Sequence, residues 1–229
     1  MIKKQYCLSY NRDLNTANWV AWHLDIKDLG FVKRSNNFMV DNSLPVGWYR
    51  VKPTDYTHSG YDRGHMCPSG DRTATVEDNR ATFLTTNITP QTLDINRGPW
   101  EKLESYSRSL VRNGKELYIY AGILNSHGYI LTKDSHKINI PSYLWKIIVV
   151  LDEGTNDIAR IDNQTRVIAV LMPNTNYIRK KNWNEFIENV SYIEELTHYN
   201  FFINIPKETR DILEKEIDKG AHYDKQKYY

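Results

Sequence analysis

Between residues 61 and 108 the sequence gathers side chains able to move protons and hold anions. The run Tyr61-Asp62-Arg63-Gly64-His65-Met66 leads into Cys67-Pro68-Ser69-Gly70-Asp71-Arg72. Downstream stand Asn87-Ile88-Thr89-Pro90-Gln91, then Asn96, Trp100, Glu104 and Arg108. An imidazole titrates near neutral pH, so His65 is suited to act as a general base toward water. His58, seven residues before it, invites a metal pair, but no third His, Cys or carboxylate follows at ligand spacing. The other histidines read as structural or solvated. Asp62 reads as a loop-folding residue that bonds nearby backbone N–H groups, and Gly64 as one that permits a close or left-handed bend. Glu104 and Arg108 stand four apart, which by itself is an ordinary helix-surface ion pair worth about 0.2–0.5 kcal/mol.

Taken together, these residues resemble the DNA/RNA non-specific endonuclease family, whose catalytic core is a ββα-metal motif. Asp62-Arg63-Gly64-His65 alone is short enough to arise by chance. The specific part is the second half: N-x-x-P-Q-x-x-x-x-N from Asn87 to Asn96, Glu104 eight residues on, and Arg108 four further. Trp145-Lys146, Met172-Pro173-Asn174 and Glu194 to Phe202 extend the likeness, so it covers Trp19 to Phe202. It implies that His65 is the general base and that Asn96 holds a magnesium ion, for which manganese or another divalent ion can substitute. Glu104 would accept hydrogen bonds from metal-bound waters and pair with Arg108. Arg63, Arg108 and, by a looser match, Arg34 in Lys33-Arg34-Ser35-Asn36-Asn37-Phe38 would contact the phosphate. Asp62, Asn87 and Gln91 would support these groups from behind. The implied substrates are DNA and RNA, cut to 5′-phosphate and 3′-hydroxyl ends with little sequence preference.

The chemistry is coherent on physical grounds. Hydrolysing a phosphodiester needs an activated water, neutralisation of growing phosphate charge, and help for the departing 3′ oxygen. A magnesium ion prefers oxygen ligands and keeps several waters, so one neutral amide leaves its full charge facing the substrate. If one helix carries Asn96, Glu104 and Arg108, the latter two fall about 80° and 120° round from the first, on one broad face.

Those residues must be positioned by an α+β fold: a mixed sheet core flanked by helices, with the ββα-metal motif in about residues 60–112 of a single domain spanning 1–229. Strands are expected at Trp19–Leu24, Phe83–Thr86, Leu117–Ile123, Trp145–Leu151 and Val167–Leu171, from their β-branched and aromatic content. The two apolar runs nearest the middle should be central strands. Trp100, Leu103, Tyr106 and Leu110 recur at helical spacing and predict a helix from Arg97 to Arg112, with Pro99 in its first turn and Asn113-Gly114 as its stop. On that stripe Trp100 is a core residue. Further helices are expected at Trp183–Val190, after a Ser191/Glu194 capping box, and from Pro206 to Lys219, before a frayed tail. Residues 31–80 read as loop, and a long loop that ends in reactive residues is often functional.

Bulk properties exclude some classes. A net charge of +2 gives no global basic field, which weighs against a pure nucleic-acid-binding protein more than against an enzyme with a local positive site. Sixteen Tyr and six Trp read mainly as core filling and secondarily as platforms for bases. No apolar run approaches the length of a membrane span. Cys7 and Cys67 permit one disulfide at most. No leader peptide is visible at the start, and the resemblance favours an exported protein, secreted or periplasmic, whose leader is absent from this chain; the cytoplasm is the alternative. Also open are an inactive nucleic-acid-binding relative, a DNA-restricted nuclease, a toxin of the same fold, and a homodimer.

Overall fold

The computed structural model describes residues 1–219. Strands β1 (Cys7–Asn11) and β2 (Thr16–Leu24) are followed by β3 (Asp62–His65), helix α1 (Val76–Ala81), β4 (Ile88–Gln91), and helices α2 (Leu93–Asn96) and α3 (Pro99–Arg112). Then come the long strands β5 (Lys115–Leu131) and β6 (Lys137–Asp152), α4 (Asp157–Arg160), β7 (Arg166–Pro173), β8 (Ile187–Glu188), α5 (Val190–Thr197) and α6 (Lys207–Leu213). Six strands form one sheet in the order β1-β2-β5-β6-β7-β8, and β3 and β4 form a separate two-stranded ribbon. The α+β class holds, but every pairing is antiparallel where a mixed sheet is expected. The joins explain two of the five pairings: β1–β2 and β5–β6 are hairpins, which can only produce antiparallel neighbours.

β5 and β6 are central, and β6 shows why its sequence is an almost unbroken apolar run. Leu144, Ile148 and Val150 enter the cluster on one face of the sheet, while Trp145, Ile147, Val149 and Leu151 enter the cluster on the other. Alternation with both faces covered leaves no polar parity to read. On the first face the sheet packs against Ile95 of α2 and Trp100, Leu103, Tyr106 and Val111 of α3. Each such buried side chain contributes about 1.5–3 kcal/mol. On the second face it packs against Val190 and Ile193 of α5 and Leu213 of α6.

Several expectations are corrected. The helix does not begin at Arg97: α2 ends at Asn96 and α3 starts at Pro99, with Gly98 between them at φ −128° and ψ −118°. Pro99 drives its predecessor out of the helical region, and Gly98 tolerates the close contact that results. Phe83–Thr86 is not a strand but the exit from α1 into a 3-10 turn, Thr85–Asn87. Trp183–Phe186 is likewise a 3-10 turn, and Ile187–Glu188 then pairs with the edge of β7. Asn189, not Ser191, caps α5, its side chain accepting from Tyr192 N–H. α6 ends at Leu213, short of Lys219, and the tail from Gly220 lies outside the described residues. Residues 31–80 hold β3, α1 and two 3-10 turns, so this stretch is less irregular than expected. Cys7 and Cys67 are both free thiols. Among the described residues no helix is long and apolar enough to cross a membrane.

Candidate active site

β3 and β4 pair antiparallel, with Asp62 opposite Gln91 and His65 opposite Ile88, and the chain then passes through α2 into α3. The ribbon is pulled tight at Gly64, where an added Cβ would stand 2.2–2.6 Å from the Gln91 side chain. The need for glycine here is therefore close approach and not a left-handed bend. Asn87 fixes the turn after β3: its side chain accepts from Cys67 N–H at 2.9 Å and donates to the carbonyls of Cys67 and Thr82 at 2.8 Å. That makes Asn87 a buried structural clamp. Gln91 is buried under Gly64, and neither end of its amide has a partner among the described residues.

This ββα unit brings Arg63, His65, Asn96, Glu104 and Arg108 to the walls of one cleft of about 380 Å³, joined by Arg34 from the loop before β3 and by Ser69 and Glu101. A larger groove of about 850 Å³ lies beside Tyr118, Asp157 and Phe201, but it contains none of these groups. His65 is 6% exposed, and the edge of Phe83 packs on its ring at 4.8 Å. Trp100 Nε1 donates to its carbonyl at 3.3 Å, so a core residue of α3 also steadies His65. The His65 Nε2 atom is buried without a partner among the described residues. Burial, and secondarily the nearby Arg34 cation, push the imidazole pKa down to about 3, which leaves it neutral at pH 7.

Asn96 donates through Nδ2 to Asp62 Oδ2 at 2.8 Å, and Arg97 grips both oxygens of the same carboxylate at 2.8 Å. Asp62 therefore holds these two side chains, where the sequence suggested bonds to backbone N–H groups. With its nitrogen held by Asp62, Asn96 lines the cleft, and its carbonyl oxygen has no donor among the described residues. One amide oxygen with the Glu104 carboxylate nearby suits a hydrated divalent ion that keeps most of its waters; a closed cage of His, Cys, Asp or Glu does not occur among the described residues.

Glu104 and Arg108 do not pair with each other. Arg108 reaches the fully buried Asp71 at 3.1 Å, and Asp71 also accepts from Trp22 Nε1. Glu104 has Lys146 Nζ at 3.9 Å instead. Burial raises the Glu104 carboxyl and lowers the Lys146 ammonium, each charge partly restoring the other. Lys146 sits on β6 with its ammonium 3.9 Å from the Trp100 ring centroid. Its signal in the sequence was a lysine inside an apolar strand, a placement that charge tolerates only with partners. Asp71 and Arg97 gave no comparable signal, because their partners lie far off in sequence. Arg34 and Arg63 line the cleft with no carboxylate partner among the described residues. Arg34 donates to Ser69 Oγ at 2.7 Å and Arg63 lies 4.4 Å over the Phe38 ring.

Two guanidinium groups without a carboxylate partner among the described residues share one cleft with an imidazole and an amide of the ββα unit, an arrangement suited to phosphodiester hydrolysis. Residues 1–208 match the model of the DNA/RNA non-specific endonuclease family. A nuclease of Nostoc sp. is 48% identical over 218 residues, covering 95% of this chain and 78% of the relative. Nuclease C1 of Cunninghamella echinulata is 30% identical over 213 residues, covering 87% and 81%. A crystal structure of EndoG in complex with EndoGI superposes with a TM-score of 0.75 at 26% identity, covering 91% of this chain and 87% of that one. The chain belongs to the DNA/RNA non-specific endonuclease family and is an endonuclease.

Proposed function

We propose that this endonuclease is sugar-non-specific and depends on a divalent ion, magnesium for preference, hydrolysing DNA and RNA to 5′-phosphate and 3′-hydroxyl ends. The observation that carries the reading is the convergence in one cleft of a neutral His65, Asn96, and two arginines, Arg34 and Arg63, with no carboxylate partner among the described residues. Arg34 and Arg63 bind the scissile phosphate, whose backbone carries no base information, so the cut falls without regard to sequence. His65 takes the proton from the attacking water. Arg108, held by Asp71, neutralises charge that grows on the phosphate. Asn96 would hold the ion, with Glu104 accepting hydrogen bonds from its waters. When bound, the ion supplies Lewis-acid stabilisation of the phosphate and of the departing 3′ oxygen. An exported location belongs to the same reading, since a nuclease indifferent to sequence endangers any genome it shares a compartment with.

Cleavage of plasmid DNA and of RNA in magnesium tests this directly. The parent should degrade both, and His65→Ala should lose about 10²–10⁴-fold in rate on each, the usual contribution of a positioned base. Degradation of DNA alone would restrict the substrate, and an undiminished rate in His65→Ala would remove the base.

A further inference from the structure

The chain as a whole has almost no net charge, so any grip on a long polyanion must come from a local surface. One such surface adjoins the cleft. Residues 177–181, Tyr-Ile-Arg-Lys-Lys, leave the sheet after β7 and seat on the α2–α3 junction that carries Asn96. Three ties hold them there. The Tyr177 N–H donates to Asp94 Oδ2 at 2.5 Å, and Gly98 lies so close to Arg179 that an added Cβ would stand 2.8 Å from its Cα. Lys102 Nζ donates to the carbonyls of Lys180 and Lys181 at 3.2 and 2.6 Å, fixing their backbone from below.

What this seating presents is unusual. Tyr177 is 97% exposed, and its φ is +69°, a left-handed backbone that a bulky residue adopts only under constraint. A whole aromatic ring is thus held out in water at an energetic cost. Beside it, Arg179 and Lys180 are exposed and make no ion pair among the described residues, whereas Lys181 is paired with Glu185 at 3.4 Å. An exposed ring next to two unneutralised cations on a braced backbone matches a single strand of nucleic acid: a face for a base and charge for the phosphates.

We propose that Tyr177, Arg179 and Lys180 form a second contact for the substrate strand, away from the scissile phosphate, with the ring stacked on a base and the two cations on the backbone. This deepens the nuclease reading and takes the identity of its ligand from it. The contact raises affinity for long strands without taking part in bond cleavage.

Binding of a fluorescein-labelled 20-nucleotide strand, measured in EDTA over a series of salt concentrations, tests it without cleavage. The Arg179→Ala/Lys180→Ala double variant should bind roughly tenfold more weakly near 0.1 M salt. Its slope of log affinity against log salt should be shallower by about 1.4, or about 0.7 for each lost phosphate contact on a single strand. Tyr177→Gly, which relieves the left-handed backbone and so should fold at least as well, should lose about fivefold or more with the slope unchanged. Both variants should hydrolyse bis(p-nitrophenyl) phosphate, too small to reach the ledge, at the parent rate. Unchanged affinity and slope would overturn the proposal, as would an equal loss on the small substrate, which would mark a disturbed cleft. A parent that binds the strand yet cuts nothing would refute the catalytic reading and leave the ledge standing.

Discussion

At the residue scale, burial more than any neighbouring charge decides the state of His65. Its folded pKa near 3 lies below the ordinary 6.5, so between these values the unfolded chain binds the proton and the folded one does not. Stability from this group is therefore complete above about pH 6.5 and is lost as pH falls toward 3. Urea unfolding at pH 7 and pH 5 should show the parent losing about 2 kcal/mol more than His65→Leu across that step. Parallel losses would mean that the imidazole is not buried neutral. The same depression has a kinetic reading. In the free enzyme the acid limb of kcat/KM should fall below pH 6.5, while a bound phosphate offsets the Arg34 charge and moves the limb of kcat upward. Asp62 acts one step behind. Asp62→Ala frees the Asn96 amide to rotate and should raise the magnesium needed for half-maximal rate by about 10–100-fold, with kcat at saturating magnesium changed far less.

At the element scale, the break between α2 and α3 sets where Asn96 stands relative to Glu104. The helical stripe of Trp100, Leu103 and Tyr106 was legible because a regular period repeats over three turns. The break was not, since Arg97-Gly98-Pro99 is equally compatible with a first turn and with an interruption. The contact that decides it, Gly98 against the Asp94 carbonyl and the backbone of Arg179, joins segments about eighty residues apart. In the same way Phe83 has strand-like composition, but its place is set by packing on His65. Gly98→Ala would force a Cβ to 2.3 Å from the Asp94 carbonyl oxygen. It should cost about 1–3 kcal/mol in stability and lower activity by moving Asn96. A variant as stable and active as the parent would show that the junction is not tightly held.

At the scale of the whole molecule, the sheet separates chemistry from support. One face carries α2, α3 and the cleft, and the other carries α5 and α6. The cleft residues from Arg63 to Arg108 were picked out in the sequence because they cluster within about fifty positions in a recognisable order. Lys146 and Asp71 were not assigned a role, because their meaning comes from strands and loops brought together only on folding. Leu213→Ala, on the far face, should destabilise by about 2–5 kcal/mol yet leave KM and the magnesium requirement unchanged well below the melting transition. In the proposed mechanism two residues of the site divide the labour: the imidazole of His65 for the proton and the amide of Asn96 for the ion. The most direct check is the magnesium dependence of oligonucleotide cleavage by the parent, His65→Ala and Asn96→Ala. His65→Ala should lower the maximal rate with its half-saturating magnesium unmoved, and Asn96→Ala should shift half-saturation upward by tenfold or more. If Asn96→Ala followed the parent's magnesium curve, the ion would have to be held elsewhere, and the division of roles between His65 and Asn96 would be wrong.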